Sequence, residues 1–295
     1  MAFPGPQGYA VGLPIDGSVA VQRPGPSANR ALERATFSMH DPDAIRELVL
    51  EAGRMAMAMR PSATIDRKAD ASFVTSADLA VQEYLIAEIG KRCPDDGFVA
   101  EEEGVGRSPQ AARRLWVLDP IDGTASYALG LPGWGVSVGL VEDGRAVEGW
   151  FYEPVMDEMF NAGPDRGMRY QGEPARVLPD RPADRDTSIF VDSRFHQRLA
   201  LDPSFPGKAR SLGTTVGHLA YVASGRTEAA VVQNVHAWDF AAGQAMLIHA
   251  GGVLRYLDGS DVDMTDYLAG EATDRVMVGG HPDTVAQVSA AIREQ

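Results

Sequence analysis

Layered helices and sheets, an α+β or α/β fold, are what this 295-residue chain predicts on three observations. Two helical patterns occupy its first third. A run of short strands separated by turn residues follows, and beyond residue 187 strands and helices alternate.

Taken in order, residues 1–38 are rich in Pro and Gly, as in Phe3-Pro4-Gly5-Pro6, and read as a flexible extension. Asp41-Pro42 is an N-cap followed by proline at the first helical position. The helix it opens runs to about Met59 and stops at Pro61, with Met55, Met57 and Met59 as core filler. Asp78 opens a second helix whose buried stripe is Leu79, Tyr84, Leu85, Ile86 and Ile89, ending near Cys93-Pro94. Asp95–Glu101 reads as turn plus strand, and Arg107–Arg114 as a polar loop. Apolar residues 115–118 form a short buried strand, after which Pro120 and Asp122-Gly123 reverse the chain.

Val136–Glu142, Ala146–Tyr152 and Glu158–Asn161 are separated by Asp143-Gly144 and Pro154, the pattern of an antiparallel meander. Residues 180–186 divide a first half, 39–183, from a second, 184–295. The second half reads as a strand over Ser188–Asp192, a helix near 194–200, a helix over 214–224 and a strand over Ala229–Val232. A helix from Asp239 to about Ala250 follows, ended by Gly251-Gly252, and then a strand over Val253–Leu257.

Composition narrows the function. Hydrophobic content of 44% and charged content of 23% are those of an ordinary globular protein. The 27 basic and 41 acidic side chains leave a net charge of −14, which argues against tracking a nucleic-acid backbone. The single cysteine, Cys93, reads as a small buried hydrophobe and excludes an internal disulfide framework. No apolar run reaches the length of a membrane span, and no basic-then-apolar leader opens the chain. A cytoplasmic protein is expected.

The chemistry concentrates in Trp116-Val117-Leu118-Asp119-Pro120-Ile121-Asp122-Gly123-Thr124. A strand delivers Asp119 and Asp122 onto a Pro/Gly turn, where two hard oxygen anions suit Mg²⁺ and the Ile121 carbonyl offers a third ligand. Behind them the N–H groups of Gly123 and Thr124 face an anion if a helix begins there. The acidic spacing does not fit an EF-hand loop. A metal beside an anion cradle points to phosphate chemistry, and bound divalent cations would offset the negative field that repels a phosphorylated substrate.

This motif resembles the signature of the inositol monophosphatase family, Mg²⁺-dependent phosphatases. Four further segments are similar to that family's motifs in the family's order: Val74-Thr75-Ser76-Ala77-Asp78, Ala100-Glu101-Glu102, Arg210-Ser211-Leu212-Gly213-Thr214, and Trp238-Asp239-Phe240-Ala241-Ala242-Gly243. The resemblance implies an α-β-α-β-α sandwich of the sugar-phosphatase type, commonly a homodimer. It also implies two or three Mg²⁺ ions held by Glu101, Asp119, Ile121, Asp122 and Asp239, and an attacking water held by Thr124, whose hydroxyl Asp78 orients. Glu101 assists at the metal, and Gly213, Thr214 and Thr215 belong to the loop that meets the substrate's polyol. On their own, Asp78 and Asp239 read equally as helix N-caps, Trp238 as packing, and Glu102 and Glu103 as solvent-facing.

Where the family carries an acidic residue seven positions before the last metal aspartate, this chain has Val232, with Gln233, Asn234 and His236 nearby. Ala125-Ser126-Tyr127 replaces a common Thr-Asn-Phe, and the Lys-Glu of related nucleotide phosphatases is absent. The expected activity is hydrolysis of a small alcohol or polyol monophosphate such as inositol monophosphate. The alternatives are histidinol phosphate, a sugar bisphosphate, or a regulatory protein that binds metal or phosphate without turnover.

Overall fold

The computed structural model describes residues 40–68, 73–102, 112–273 and 275–295. The extension over residues 1–38, Glu103 and most of the Arg107–Arg114 loop lie outside them. Helix α1 (Pro42–Met59) is capped by the Asp41 carboxylate, which accepts from the Asp43 N–H. Strands β1 (Ile65–Arg67) and β2 (Phe73–Thr75) pair antiparallel and lead into α2 (Ser76–Arg92). Asp78 is not the N-cap: Thr75 is, and Asp78 is the third helical residue of a capping box with it. Ala77, Val81, Leu85 and Ile89 supply the buried stripe of α2 at four-residue spacing. Leu79 lies off that stripe and is exposed, as is Met57 of α1, contrary to the sequence pattern.

Seven strands form the first sheet: β3 (Gly97–Ala100), β4 (Arg114–Asp122), β5 (Gly135–Glu142), β6 (Arg145–Glu153), β7 (Glu158–Gly163), β8 (Gly167–Tyr170) and β9 (Glu173–Pro174). Only β3 and β4 are parallel; the rest is the expected meander. A helix α3 (Thr124–Leu129) leaves the end of β4.

The second sheet combines β10 (Ser188–Phe190), β12 (Lys208–Arg210), β13 (Ala229–Val232), β14 (Val253–Tyr256) and β15 (Met277–Gly280) in the order β12-β10-β13-β15-β14. Between β10 and β12 the expected helix at 194–200 is a short 3₁₀ turn, Phe195–Gln197, followed by strand β11 (Leu199–Leu201). That strand pairs with β16 (Ile292–Glu294) at the far end of the chain, a partner no local pattern reveals. Helices α4 (Thr215–Ala223) and α5 (Ala241–His249) lie between the sheets, and α6 (Pro282–Ala291) covers the second sheet's outer face.

Three apolar layers result. Trp116 and Leu118 of β4 face α1 and α2, whereas Leu115 and Val117, alternating with them, face α4 and α5. A third cluster, including Ile189, Val231, Val278, Val285 and Val288, joins the second sheet to α6. The order is α-β-α-β-α, the sandwich anticipated from the motifs. The described residues form one compact unit, with 180–186 lying in sequence between the strands of the two sheets. Among the described residues no helix is long and apolar enough to cross a membrane.

One contact sets where α5 sits. Gly139 of β5 and Gly149 of β6 are cross-strand partners facing the first turn of α5. A Cβ on Gly149 would stand 2.4 Å from the Ala242 carbonyl oxygen, and one on Gly139 would stand 3.0 Å from the Ala242 nitrogen. Backbone cannot retreat as a flexible side chain can, so Gly149→Ala is expected to cost roughly 1–3 kcal/mol, as overpacking does. Urea unfolding checks this; an unchanged midpoint would show that α5 is not seated by this contact.

Candidate metal centre

The Asp119-to-Asp122 segment is not a reversal of the chain. Strand β4 continues through Pro120 to Asp122, with a register shift against β5 between the two aspartates. The turn comes one residue later at Gly123, which has φ +95° and lies against the Gly133 and Gly213 carbonyls. A side chain there would meet both strain and those oxygens, so only glycine serves. Helix α3 then begins at Thr124, leaving the first N–H groups without intrahelical acceptors.

Each carboxylate is held differently. Asp119 accepts from the Ile121 N–H at 3.1 Å. Asp122 reaches the start of α4, where its carboxylate accepts from the Thr214 hydroxyl and from the Thr215 and Val216 N–H groups at 2.5, 3.0 and 2.7 Å. A helix N-terminus favours an anion, so α4 fixes Asp122 from across the molecule. Thr214 is therefore buried and committed to Asp122, not to a polyol; Gly213 is exposed and Thr215 half-buried beside it. Asp239 closes a 3₁₀ turn, Ala237–Asp239, accepting from the His236 N–H at 2.7 Å, and precedes α5 without capping it. Trp238 stacks on His236.

Glu101 continues β3, its N–H bonded to the Leu118 carbonyl, which puts it beside Asp119. Glu102, expected in solvent, is buried. Gln82 of α2 grips its backbone by both amide groups, at 2.7 and 2.9 Å, and turns the side chain inward. Lys68, which no sequence pattern marked, places its ammonium 2.7 Å from both Glu101 and Glu102. Burial works against that charge, but the two carboxylates raise its pKa overall.

Thr124 and Asp78 meet as the resemblance implied. The Thr124 hydroxyl lies 3.3 Å from Asp78 Oδ1 and 3.0 Å from the Ile121 carbonyl oxygen. Asp78 Oδ2 accepts from the Thr75 N–H and hydroxyl, which leaves Oδ1 for Thr124. The Thr75-x-x-Asp78 capping spacing was the available sign that Asp78 points inward.

The acids compress into two groups. Asp119, Asp122 and Asp239 bring ligand oxygens within 4.8 Å of one another, as do Asp78, Glu101 and Glu102. Burial pushes Asp78 up to about 6 and Glu101 to about 7. Burial also lifts Asp122 to about 7 against its three donors, and lifts Asp119 well above the carboxylate range, with Glu101 and Asp122 adding repulsion. All-oxygen donors that repel one another when charged fit a hard divalent cation. Raised carboxylate pKa values favour the protonated fold. Their stabilisation is present below the unfolded values near ~4 and is lost as pH rises through 6 to 7. In EDTA the melting temperature should therefore fall between pH 5 and pH 8, and Mg²⁺ should restore more at pH 8 than at pH 5. A flat profile in differential scanning fluorimetry would contradict this.

Known proteins resemble this chain in sequence and fold. The model of the inositol monophosphatase family matches residues 42–292. An inositol-1-monophosphatase of Mesorhizobium japonicum is 31% identical over 216 residues, 68% of this chain and 78% of that protein. A histidinol-phosphatase of Chlorobaculum parvum is 32% identical over 218 residues, 70% of this chain and 82% of its own. Among solved structures, the Thermotoga maritima IMPase superposes with a TM-score of 0.71 at 25% identity, covering 84% of this chain and 96% of its own. With its motifs in order, its five layers and its paired acidic groups, the chain belongs to the inositol monophosphatase family.

Proposed function

We propose that this chain is a Mg²⁺-dependent phosphomonoesterase that hydrolyses the monophosphate of a small alcohol or polyol with water as nucleophile. The observation that carries this reading is the Thr124 hydroxyl poised between Asp78 Oδ1 and the Ile121 carbonyl, next to the acidic groups. Both neighbours are acceptors, so the hydroxyl proton is drawn inward and its lone pairs are left to accept from a water. As that water attacks phosphorus and the bond to the ester oxygen breaks, its proton passes to Thr124 Oγ1 while the threonine's own proton moves to Asp78 Oδ1, and the departing alkoxide takes a proton from solvent water. Burial of Asp78 favours its protonated form, which suits it to receive a proton.

Glu101, Asp119, Asp122, Asp239 and the Ile121 carbonyl are the groups that would hold Mg²⁺. When bound, it lowers the pKa of water and offsets charge on the leaving oxygen. Gly123 and Thr124 offer N–H groups to the phosphate from the start of α3, and Gly213 and Thr215 border the alcohol part. Lys68 neutralises part of the acid excess at Glu101 and Glu102. Histidinol phosphate is the alternative substrate, supported by the relative of that activity.

Phosphate release from a panel of monophosphates, with Mg²⁺ or with EDTA, tests the reading; Mg²⁺-dependent turnover is expected, and its absence across the panel would refute it. Asp119→Asn should lower kcat by at least ~10²-fold with the fold retained, the scale of losing a main electrostatic stabiliser. Thr124→Ala should lose roughly 10²- to 10⁴-fold, the range of a general acid–base group, and Thr124→Ser should recover most of it. Steady-state kinetics decides both. A Thr124→Ala enzyme of near-normal kcat would remove the hydroxyl from the proton path.

A further inference from the structure

The loop over residues 131–134 supports the turn from which Thr124 projects. A Cβ on Gly123 would stand 2.7 Å from the Gly133 carbonyl oxygen, and one on Gly133 would stand 2.1 Å from the Leu212 carbonyl oxygen. Gly133 is therefore wedged between the Gly123 turn and the loop that leads to Thr214. Beside it, Trp134 is fully buried and meets the Tyr127 ring of α3 edge-on, with centroids 4.8 Å apart. Whatever holds Gly133 also holds the start of α3, and with it Thr124.

The Gly133 N–H donates to Glu153 Oε1 at 3.3 Å. Glu153 ends β6, is buried, and stands directly opposite Glu158 of β7. Two ionised carboxylates at facing positions repel each other. Two phenols meet this pair. The Tyr170 hydroxyl lies 2.5 Å from Glu158 Oε1, and the Tyr221 hydroxyl of α4 touches Glu158 Oε2 and lies 3.0 Å from Glu153 Oε2. Beyond them stands Arg226, its guanidinium 4.0 Å from the Tyr170 ring centroid.

The hydrogens do not suffice if both acids are ionised. A phenol carries one. Tyr170 gives its own to Glu158, and Tyr221, whose closer contact is also with Glu158, gives its own there too. Glu153 Oε2 and the Tyr221 oxygen would then face each other at 3.0 Å with nothing between them, unless Glu153 supplies a proton. Burial raises the Glu153 pKa, and the charge of Glu158 adds to this against the pull of Tyr221 and the Gly133 N–H.

Resting on the phosphomonoesterase reading, we propose that Glu153 is a positioning residue for Thr124, a neutral carboxyl that donates its proton to Tyr221 and holds the Gly133 N–H with its other oxygen. The Gly123 turn is thereby braced against α4, the helix whose start grips Asp122. Ionisation of Glu153 sets it against Glu158 and loosens the brace.

The test compares Glu153→Gln, which keeps an acceptor for Gly133 and a donor for Tyr221, with Glu153→Met, of similar volume, which keeps neither. Mg²⁺-dependent phosphate release is measured on p-nitrophenyl phosphate and on the monophosphate panel. Glu153→Met should lower kcat by about tenfold with KM within about twofold, the pattern of a reacting group slightly misplaced. Glu153→Gln should match wild type where Glu153 is protonated and should lack the fall in kcat that wild type shows as pH rises. A urea series in Mg²⁺ needs no turnover. A raised folded-state pKa gives stability that is present below the unfolded value near ~4 and is lost as pH rises through the folded value. The Gln midpoint should therefore climb above the wild-type midpoint between pH 5 and pH 8. Wild-type kcat in Glu153→Met, or equal losses in the two variants, overturns the inference, as does a midpoint difference that does not move with pH. In each of those cases wild-type turnover leaves the phosphomonoesterase standing. If wild type releases no phosphate from any probe, that reading falls and the positioning role falls with it, while the urea series still shows whether Glu153 holds the proton.

Discussion

Mutual repulsion among buried carboxylates is the constraint on which the rest of this molecule depends. Four acids, Asp78, Glu102, Asp119 and Asp122, are buried by the fold, with Glu101 and Asp239 half-buried at the border. Such an arrangement opposes folding, and the chain sustains it by holding the acids with donors, some local and some from distant segments. Asp122 is held by the start of α4, Asp78 by Thr75, and the Glu102 backbone by Gln82. The three apolar layers supply the cohesion that makes this possible. A divalent cation held there would turn repulsion into coordination.

Asp122 has a second role as a tie between the sheets. It ends a strand of the first sheet and caps a helix that leads into the second, joining residues more than 90 positions apart. The loop that the resemblance associates with substrate therefore spends its hydroxyl and two of its N–H groups inward. What this loop leaves at the surface is the exposed Gly213 and the half-buried Thr215. Val232, at the position where the family carries an acid, is buried in the second sheet.

Much of this was legible from residue patterns because the causes are local. The Asp41-Pro42 cap, the turn-punctuated meander and the apolar run into Asp119 each depend on neighbours a few residues away. The failures share a different cause. Glu102 looks like one charge in an acidic run, and only Gln82, twenty positions earlier, turns it inward. The strand at Leu199 exists because the last residues of the chain pair with it. Lys68 is an unremarkable lysine until the fold brings it to Glu101. Thr214 carried the right motif but the wrong direction, since its acceptor lies on another sheet.

The glycine pair beneath α5 has a consequence for how this scaffold drifts under mutation. Main chain rests on main chain at Gly139, Gly149 and Ala242, so the height of the helix above the sheet is not set by any side chain. Core residues on either side, such as Phe151, Phe160, Met246 and Leu247, are free to exchange volume with one another while that height stays put. Asp239 enters its position three residues before Ala242 and inherits the same reference level. The scaffold thus separates two kinds of variation, letting its interior be rewritten while the depth at which Asp239 meets Asp119 and Asp122 is kept.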